Sequence, residues 1–160
     1  MICLIRSDER LIHGQCMQFI CSDFSIKDIV VVDDTTAKNP LLKSIFENAV
    51  PKAINANVYT LEDAVPFIEA AKTNSTNTLV LMKHPRTLLK IRELVNGLPD
   101  ELNIGPQMAR NGIKCADYAT LAKEDIEVCK QLTADGVRVY FNSIGANGNV
   151  IEWSSVSSKI

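Results

Sequence analysis

The chain reads as a single α/β domain with a mostly parallel open β-sheet flanked by helices on both faces. Three observations carry that expectation. Continuous apolar runs without polar alternation occur at 1–5, 29–32 and 78–82, as expected of strands covered on both faces. Amphipathic stretches with helical spacing separate them, so strand and helix alternate almost to the C-terminus. At 160 residues the chain has the length of one domain, 1–160, and neither a repeat nor a linker divides it.

Taken in order, the first strand stops abruptly at Arg6 and gives way to a charged loop, with a helical-looking run from Gln15. The second strand ends in Asp33 and Asp34. Asn39-Pro40 then reads as an N-cap followed by proline at the first helical position, and Leu41, Leu42, Ile45 and Ala49 fall on one helix face. A third strand is expected at 56–59, and Thr60 to Asp63 has the spacing of a capping box, with Leu61, Val65 and Ile68 facing inward. After a polar turn at 74–77, the fourth strand ends in Lys83-His84-Pro85, where the proline suits a helix start; Leu88, Leu89, Ile91 and Val95 follow, and Gly97 would end the helix. Short strands are expected near 102–104 and 112–115, a helix over about 123–133 closed by Asp135-Gly136, and a strand at 137–141. The tail 143–160, rich in Gly, Asn and Ser, is expected to be an ordered loop or a loosely ordered end.

Composition excludes several classes. A formal net charge of −2 provides no basic field for nucleic acid, so no nucleic-acid partner is expected. No apolar run approaches the roughly 18 residues of a spanning helix, and the N-terminus lacks a signal-peptide layout, so a cytoplasmic protein without membrane insertion is expected. The five cysteines, Cys3, Cys16, Cys21, Cys115 and Cys129, are scattered and mostly sit in apolar runs; they read as reduced thiols rather than a metal site. Cys16 draws attention only because a helix N-terminus can lower a thiol pKa.

The most informative segment is Arg6-Ser-Asp-Glu-Arg-Leu-Ile-His-Gly-Gln15. It follows the first strand, and in open α/β sheets ligands sit beyond the carboxyl ends of strands. A neutral imidazole is both a good nucleophile and a good leaving group, so His13 could accept a phosphoryl group and release it. Arg10 and Arg6 supply planar cations suited to phosphate oxygens. Gly14 removes a side chain where a backbone amide would approach the phosphate, and the helix starting at Gln15 would add its positive end. Asp8 is expected either to pair with an arginine or to hold the other ring nitrogen of His13; Glu9 is expected to pair with Arg6 or Arg10 and shape the loop.

This decapeptide resembles the active-site loop of the mannose/fructose/sorbose-type IIB components of the bacterial phosphoenolpyruvate-dependent sugar phosphotransferase system (PTS). The matching residues are Arg6, Asp8, Glu9, Arg10, Leu11, Ile12, His13, Gly14 and Gln15, and the likeness continues through Asp33-Asp34, Pro51, 103–105 and Met108. It implies that His13 is phosphorylated on Nδ1 by the phosphohistidine of a IIA domain or protein. The group then passes to a sugar held by the membrane components IIC and IID, with which the protein would associate peripherally. No cofactor and no metal is implied. The family often has an aliphatic residue at the position of Cys16 and a tryptophan a few residues further on, where this chain reads Cys16-Met-Gln-Phe19, a departure that bears on partner and sugar rather than on the chemistry.

Other candidates read less sharply. Asp33 and Asp34 look like a receiver's acidic pair but follow the second strand instead of the first, so capping or bracing of the loop is expected. His84 reads as a loop residue with some chance of lining the same crevice. The run 145–148 has too few glycines for a dinucleotide loop, and no phosphate-binding loop for ATP is present. Two rival functions remain open on the residues. A histidine phosphatase would place an arginine immediately before the histidine, where Ile12 stands, and a sensory module would bind an anion at this loop without covalent chemistry.

Overall fold

β1 (Ile2–Ser7) runs through the middle of the molecule, and every residue that the sequence singled out around His13 hangs from its carboxyl end. The structure is a computed structural model that describes residues 1–143 and 148–160, with Gln15 and Cys16 described by their backbone alone. After β1 come α1 (Gly14–Asp23), β2 (Asp28–Val32), α2 (Asp34–Ala37), α3 (Pro40–Glu47) and β3 (Asn55–Tyr59). The chain continues through α4 (Leu61–Ala71), β4 (Thr78–Met82), α5 (Pro85–Leu94) and β5 (Glu101–Ile104). The last part comprises β6 (Gln107–Met108), β7 (Ile113–Ala116), β8 (Ala119–Leu121), α6 (Lys123–Ala134), β9 (Arg138–Phe141), β10 (Ile151–Glu152) and α7 (Trp153–Ser157).

Among the described residues the main sheet has the order β10-β9-β5-β1-β4-β2-β3, parallel throughout except for β10. The apolar run of β4 is explained by its place between β1 and β2. Leu79 and Leu81 pack with Met17, Ile20 and Cys21 of α1 on one face, while Val80 and Met82 pack with Ile68 of α4 and Leu88 and Ile91 of α5 on the other. Fully burying each such side chain contributes about 1.5–3 kcal/mol, which is what holds both helical layers to the sheet. β1 therefore sends its helix to one face, while its neighbours β4 and β5 lead to helices on the opposite face. The chain parts at the carboxyl end of β1, the place where open α/β sheets form their ligand crevice.

Local sequence signals account for most boundaries. Asn39 caps α3 through Leu41 N and Leu42 N, and Thr60 caps α4 through Asp63 N. Three features differ from expectation. The Leu41, Leu42 and Ile45 face of α3 points to solvent, with Leu41 70% exposed, because the helix lies along the edge of β3 and secures it through Glu47, which accepts from Val58 N. The strand expected near 112–115 belongs to a small separate sheet, β6-β8-β7. Helix α5 ends at Leu94 with Val95 already extended, so Gly97 (φ 73°) serves the turn beyond it. The described part of the tail is ordered: β10 pairs with β9, and Trp153, 4% exposed, stacks on Phe141. Residues 144–147, including most of the 145–148 run, lie outside the described residues.

Candidate active site

The loop after β1 is a tight turn driven into the core by its two aliphatic residues. Leu11 N donates to Asp8 O at 2.8 Å, and Leu11 takes a positive φ of 55° that a branched side chain adopts only under constraint. The constraint is burial: Leu11 is 0% exposed and Ile12 3%, both packed against α1 and β4. Glu9 clamps the turn from the other side, with Glu9 N donating to Pro106 O and its carboxylate accepting from Met108 N at 2.8 Å. The expected Glu9 pairing with an arginine is thus replaced by a backbone clamp. In the motif, the apolar Leu-Ile pair and Glu9 are the scaffold that fixes where His13 emerges.

His13 is the N-cap residue of α1, with extended backbone and no capping bond from its side chain. Its Nε2 lies 3.5 Å from Oδ2 of Asp8, whose side chain is only 2% exposed. The same carboxylate accepts from Arg10 N at 3.0 Å and from Arg10 Nε and Nη2 at 3.2 Å each, a bidentate fork. Arg10 keeps 45% of its side chain exposed, so this cation stands beside the imidazole at the crevice mouth. Gly14 has neither a positive φ nor, among the described residues, any neighbouring atom within 4 Å of where a Cβ would stand, so none of those residues requires glycine there. Burial is the main influence lowering the His13 pKa from its ordinary value of 6.5; Asp8 opposes it, while Arg10 and Arg6 reinforce it. The result favours the neutral imidazole.

Arg6 departs from the expectation of a phosphate ligand. Its side chain is 1% exposed and its guanidinium is engaged inside the protein, so it does not face the crevice mouth as Arg10 does. Asp33 and Asp34 also stand apart from His13, because β4 separates their strand from β1. Asp33 caps α2 through Thr36 N and Oγ1 and pairs with Lys83 at 3.5 Å; Asp34 accepts from Leu61 N at 2.7 Å. Both brace loops. With His84, Lys83, Arg86 and Lys90 they line a separate cavity of about 320 Å³. The side chains of Gln15 and Cys16 lie outside the described residues.

Sequence reasoning noted Asn103 and Gly105 only within the family likeness, without a role, and missed Gln107. Gln107, 3% exposed, ties the loops after β4 and β5 by donating to Lys83 O and meeting His84 Nδ1 at 3.2 Å. No local pattern marks these residues, because their partners are far away in the chain.

Comparison with known proteins decides the family. The family model described as the PTS system sorbose subfamily IIB component matches residues 2–158. The chain belongs to that family. It is 26% identical over 151 residues to the sorbose-specific EIIB component of Klebsiella pneumoniae, covering 93% of this chain and 91% of that protein. It is 24% identical over 141 residues to the sorbose-specific EIIB component of Lacticaseibacillus casei, covering 87% and 85% respectively. The mannose-specific EIIAB component of Escherichia coli (strain K12) is 25% identical over 149 residues, which cover 92% of this chain and 46% of that longer protein. The crystal structure of the IIBSor domain of the Klebsiella pneumoniae sorbose permease superposes with a TM-score of 0.89 over 99% of this chain and 96% of that one, at 23% identity, and so shares the fold. As a sorbose-type IIB component, the protein is part of a sugar phosphotransferase system. No helix among the described residues is long and apolar enough to cross a membrane.

Proposed function

We propose that the protein carries a phosphoryl group on His13, taking it from the phosphohistidine of a IIA protein or domain and passing it to a sugar bound by the membrane components IIC and IID. The observation that carries this reading is the pairing of His13 Nε2 with the buried Asp8 carboxylate at the start of α1. A proton held on Nε2 by Asp8 leaves the lone pair on Nδ1, the nitrogen that then attacks. As the new P–N bond forms, the P–N bond of the donor breaks and its electron pair returns to the donor imidazole. The second transfer reverses the roles: the sugar hydroxyl oxygen bonds to phosphorus and releases its proton to water, while the P–N bond to His13 breaks and its electron pair returns to Nδ1.

Positioning and charge do most of this work, since phosphoryl transfer asks for little else. Arg10, half exposed beside His13, would pair with the phosphoryl oxygens, and the first turn of α1, where no acidic residue stands, would add its positive end. Gly14 would keep that turn open to the phosphoryl group, and Gln15 is the remaining motif residue assigned to it. The protein would act at the cytoplasmic face of a bacterial membrane, attached peripherally to the permease. The EIIAB name of the Escherichia coli relative, in which a IIB-like region is about half the chain, supports a IIA partner. Neither a metal nor a nucleotide enters the scheme, because the donor phosphohistidine is itself labile.

The test is the intact mass of the protein after incubation with phosphoenolpyruvate, the general PTS phosphotransferases and a IIA domain. An acid-labile gain of one phosphoryl group in the wild type, absent in His13→Ala, is the expected result. A wild type that stays unmodified with several IIA partners would sink the reading and favour an anion-binding module.

A further inference from the structure

Arg6 has the sequence position of a second phosphate ligand and the environment of a core residue. Its Nη1 donates to Asn142 O at 2.9 Å and to Asn103 Oδ1, and its Nη2 donates to Ser143 O at 3.0 Å and reaches Asp8 Oδ2 at 3.4 Å. The guanidinium lies in a cradle floored by Gly105, where a Cβ would overlap its terminal atoms. An arginine so placed cannot reach a phosphoryl group on His13 without abandoning several buried hydrogen bonds. Nor is it needed merely to balance Asp8, because Arg10 already does so bidentately.

What Arg6 adds is direction. Asp8 Oδ1 accepts from the Arg10 backbone and Nε, while Oδ2 faces Arg6 Nη2, Arg10 Nη2 and His13 Nε2. Arg10 is half exposed on a surface turn and can swing towards an incoming anion. Arg6 is locked to the backbone at 142 and 143 and to the side chain of β5, so it is the partner that stays. We propose that Arg6, seated in the Gly105 cradle, is a positioning residue that holds Asp8 Oδ2 against His13 Nε2 and thereby selects Nδ1 as the nucleophile. Its consequence for transfer rests on the phosphocarrier reading; its consequence for the imidazole ring does not.

The experiment is long-range 1H–15N NMR of the unphosphorylated protein with labelled histidine, at a pH where His13 is neutral. It is paired with the rate of phosphorylation by IIA per folded molecule. The wild type should show the Nε2-protonated tautomer. Arg6→Gln and Gly105→Ala, the second displacing the guanidinium without removing its charge, should show mixed tautomers and a rate lowered on the order of tenfold, as when an outer partner of a functional histidine is lost. Should neither fold, Asn103→Ala removes one anchor of Arg6 while keeping its charge, and carries the same expectation at smaller amplitude. Folded variants that melt lower but keep the wild-type tautomer and rate would overturn the proposal, as would an Nδ1-protonated wild type. Absence of phosphorylation in the wild type would overturn the phosphocarrier reading alone, and the tautomers would still decide for or against Arg6.

Discussion

The protein places its two histidines in matching positions, each at the N-cap of a ten-residue helix that follows a central strand, and makes different use of them. His13 follows β1 and opens α1; His84 follows the neighbouring β4 and opens α5; neither side chain caps its helix. At α5 the helix start is already filled. The buried carboxylate of Asp125, brought in by α6, accepts from Arg86 N at 3.1 Å and pairs with Arg86 Nη1 at 2.6 Å, while Gln107 occupies Nδ1 of His84. At α1 no acidic residue stands in the first turn, no described residue crowds Gly14, and the carboxylate lies behind the ring against Nε2. The two loops contain similar groups, and what separates them is the side from which the acid approaches. An acid in front of the helix closes the site, whereas one behind the imidazole would prepare the nucleophile proposed for His13.

The sharpest break between the loops is expected on removing the rings. His13→Ala should abolish phosphorylation altogether, whereas His84→Ala should leave the rate within about threefold, since it removes a loop contact and no group that touches phosphorus. Parallel phosphorylation assays on the two variants would check this, and equal losses would show that the loops act as one site.

The next effect is on stability. Asp125→Ala should cost about 2–4 kcal/mol, because it removes the cap of α5 and the partly buried partner of Arg86 together. Urea unfolding would measure it. Burial pushes the Asp125 carboxyl up from its ordinary 3.8 while Arg86 opposes, so its pH-linked contribution is fully present below that value and is lost as pH rises through the raised folded value. Phosphorylation per folded molecule should be unchanged. A loss of transfer without a loss of stability would mean that the α5 loop belongs to the phosphoryl site.

Gly14→Ala separates the loops more finely. None of the described residues occupies the space of the added methyl, and alanine is the better helix former by up to ~1 kcal/mol, so stability should hold or rise. Transfer should fall roughly tenfold, because the methyl would stand where the phosphoryl group approaches the first turn. Single-turnover rates would decide. Unchanged rates would mean that the phosphoryl group does not use this end of the helix.

How far these features could be read from the chain depends on the reach of their contacts. The strands at 78–82 and 29–32 were legible because both faces are buried, which leaves an unbroken apolar run; α3 and α4 were legible through Asn39-Pro40 and Thr60, whose caps act within three residues. The grouping around His13 was legible for the same reason: Asp8, Arg10 and His13 meet inside one turn. The burial of Arg6 was not legible, since its partners lie 97 residues away at Asn103 and more than 130 away at 142–143. The small β6-β8-β7 sheet and the tail were hidden differently. Strands of two to four residues are too short to show a period, and a polar tail reveals its order only once Trp153 finds Phe141.

The smallest expected effect is a shift in the acid limb of the transfer rate. Burial lowers the His13 pKa in the folded protein below 6.5, so the neutral nucleophile should persist at pH values where a free imidazole is half protonated. The midpoint of the rate decline should accordingly fall below 6.5. The sign carries over to stability: a depressed folded value means that the His13 contribution is present above about 6.5 and is lost as pH falls through the folded value. Two substitutions should move the midpoint in opposite directions. Arg10→Ala removes a nearby cation and should raise it, while Asp8→Asn removes the anion that favours protonation and should lower it further, even as the rate above the midpoint drops because Nε2 is less firmly held. A titration of the His13 ring resonances in both variants would check the signs. If Asp8→Asn raised the midpoint instead, the carboxylate would not be facing the ring, and the difference drawn between the two loops would lose its basis.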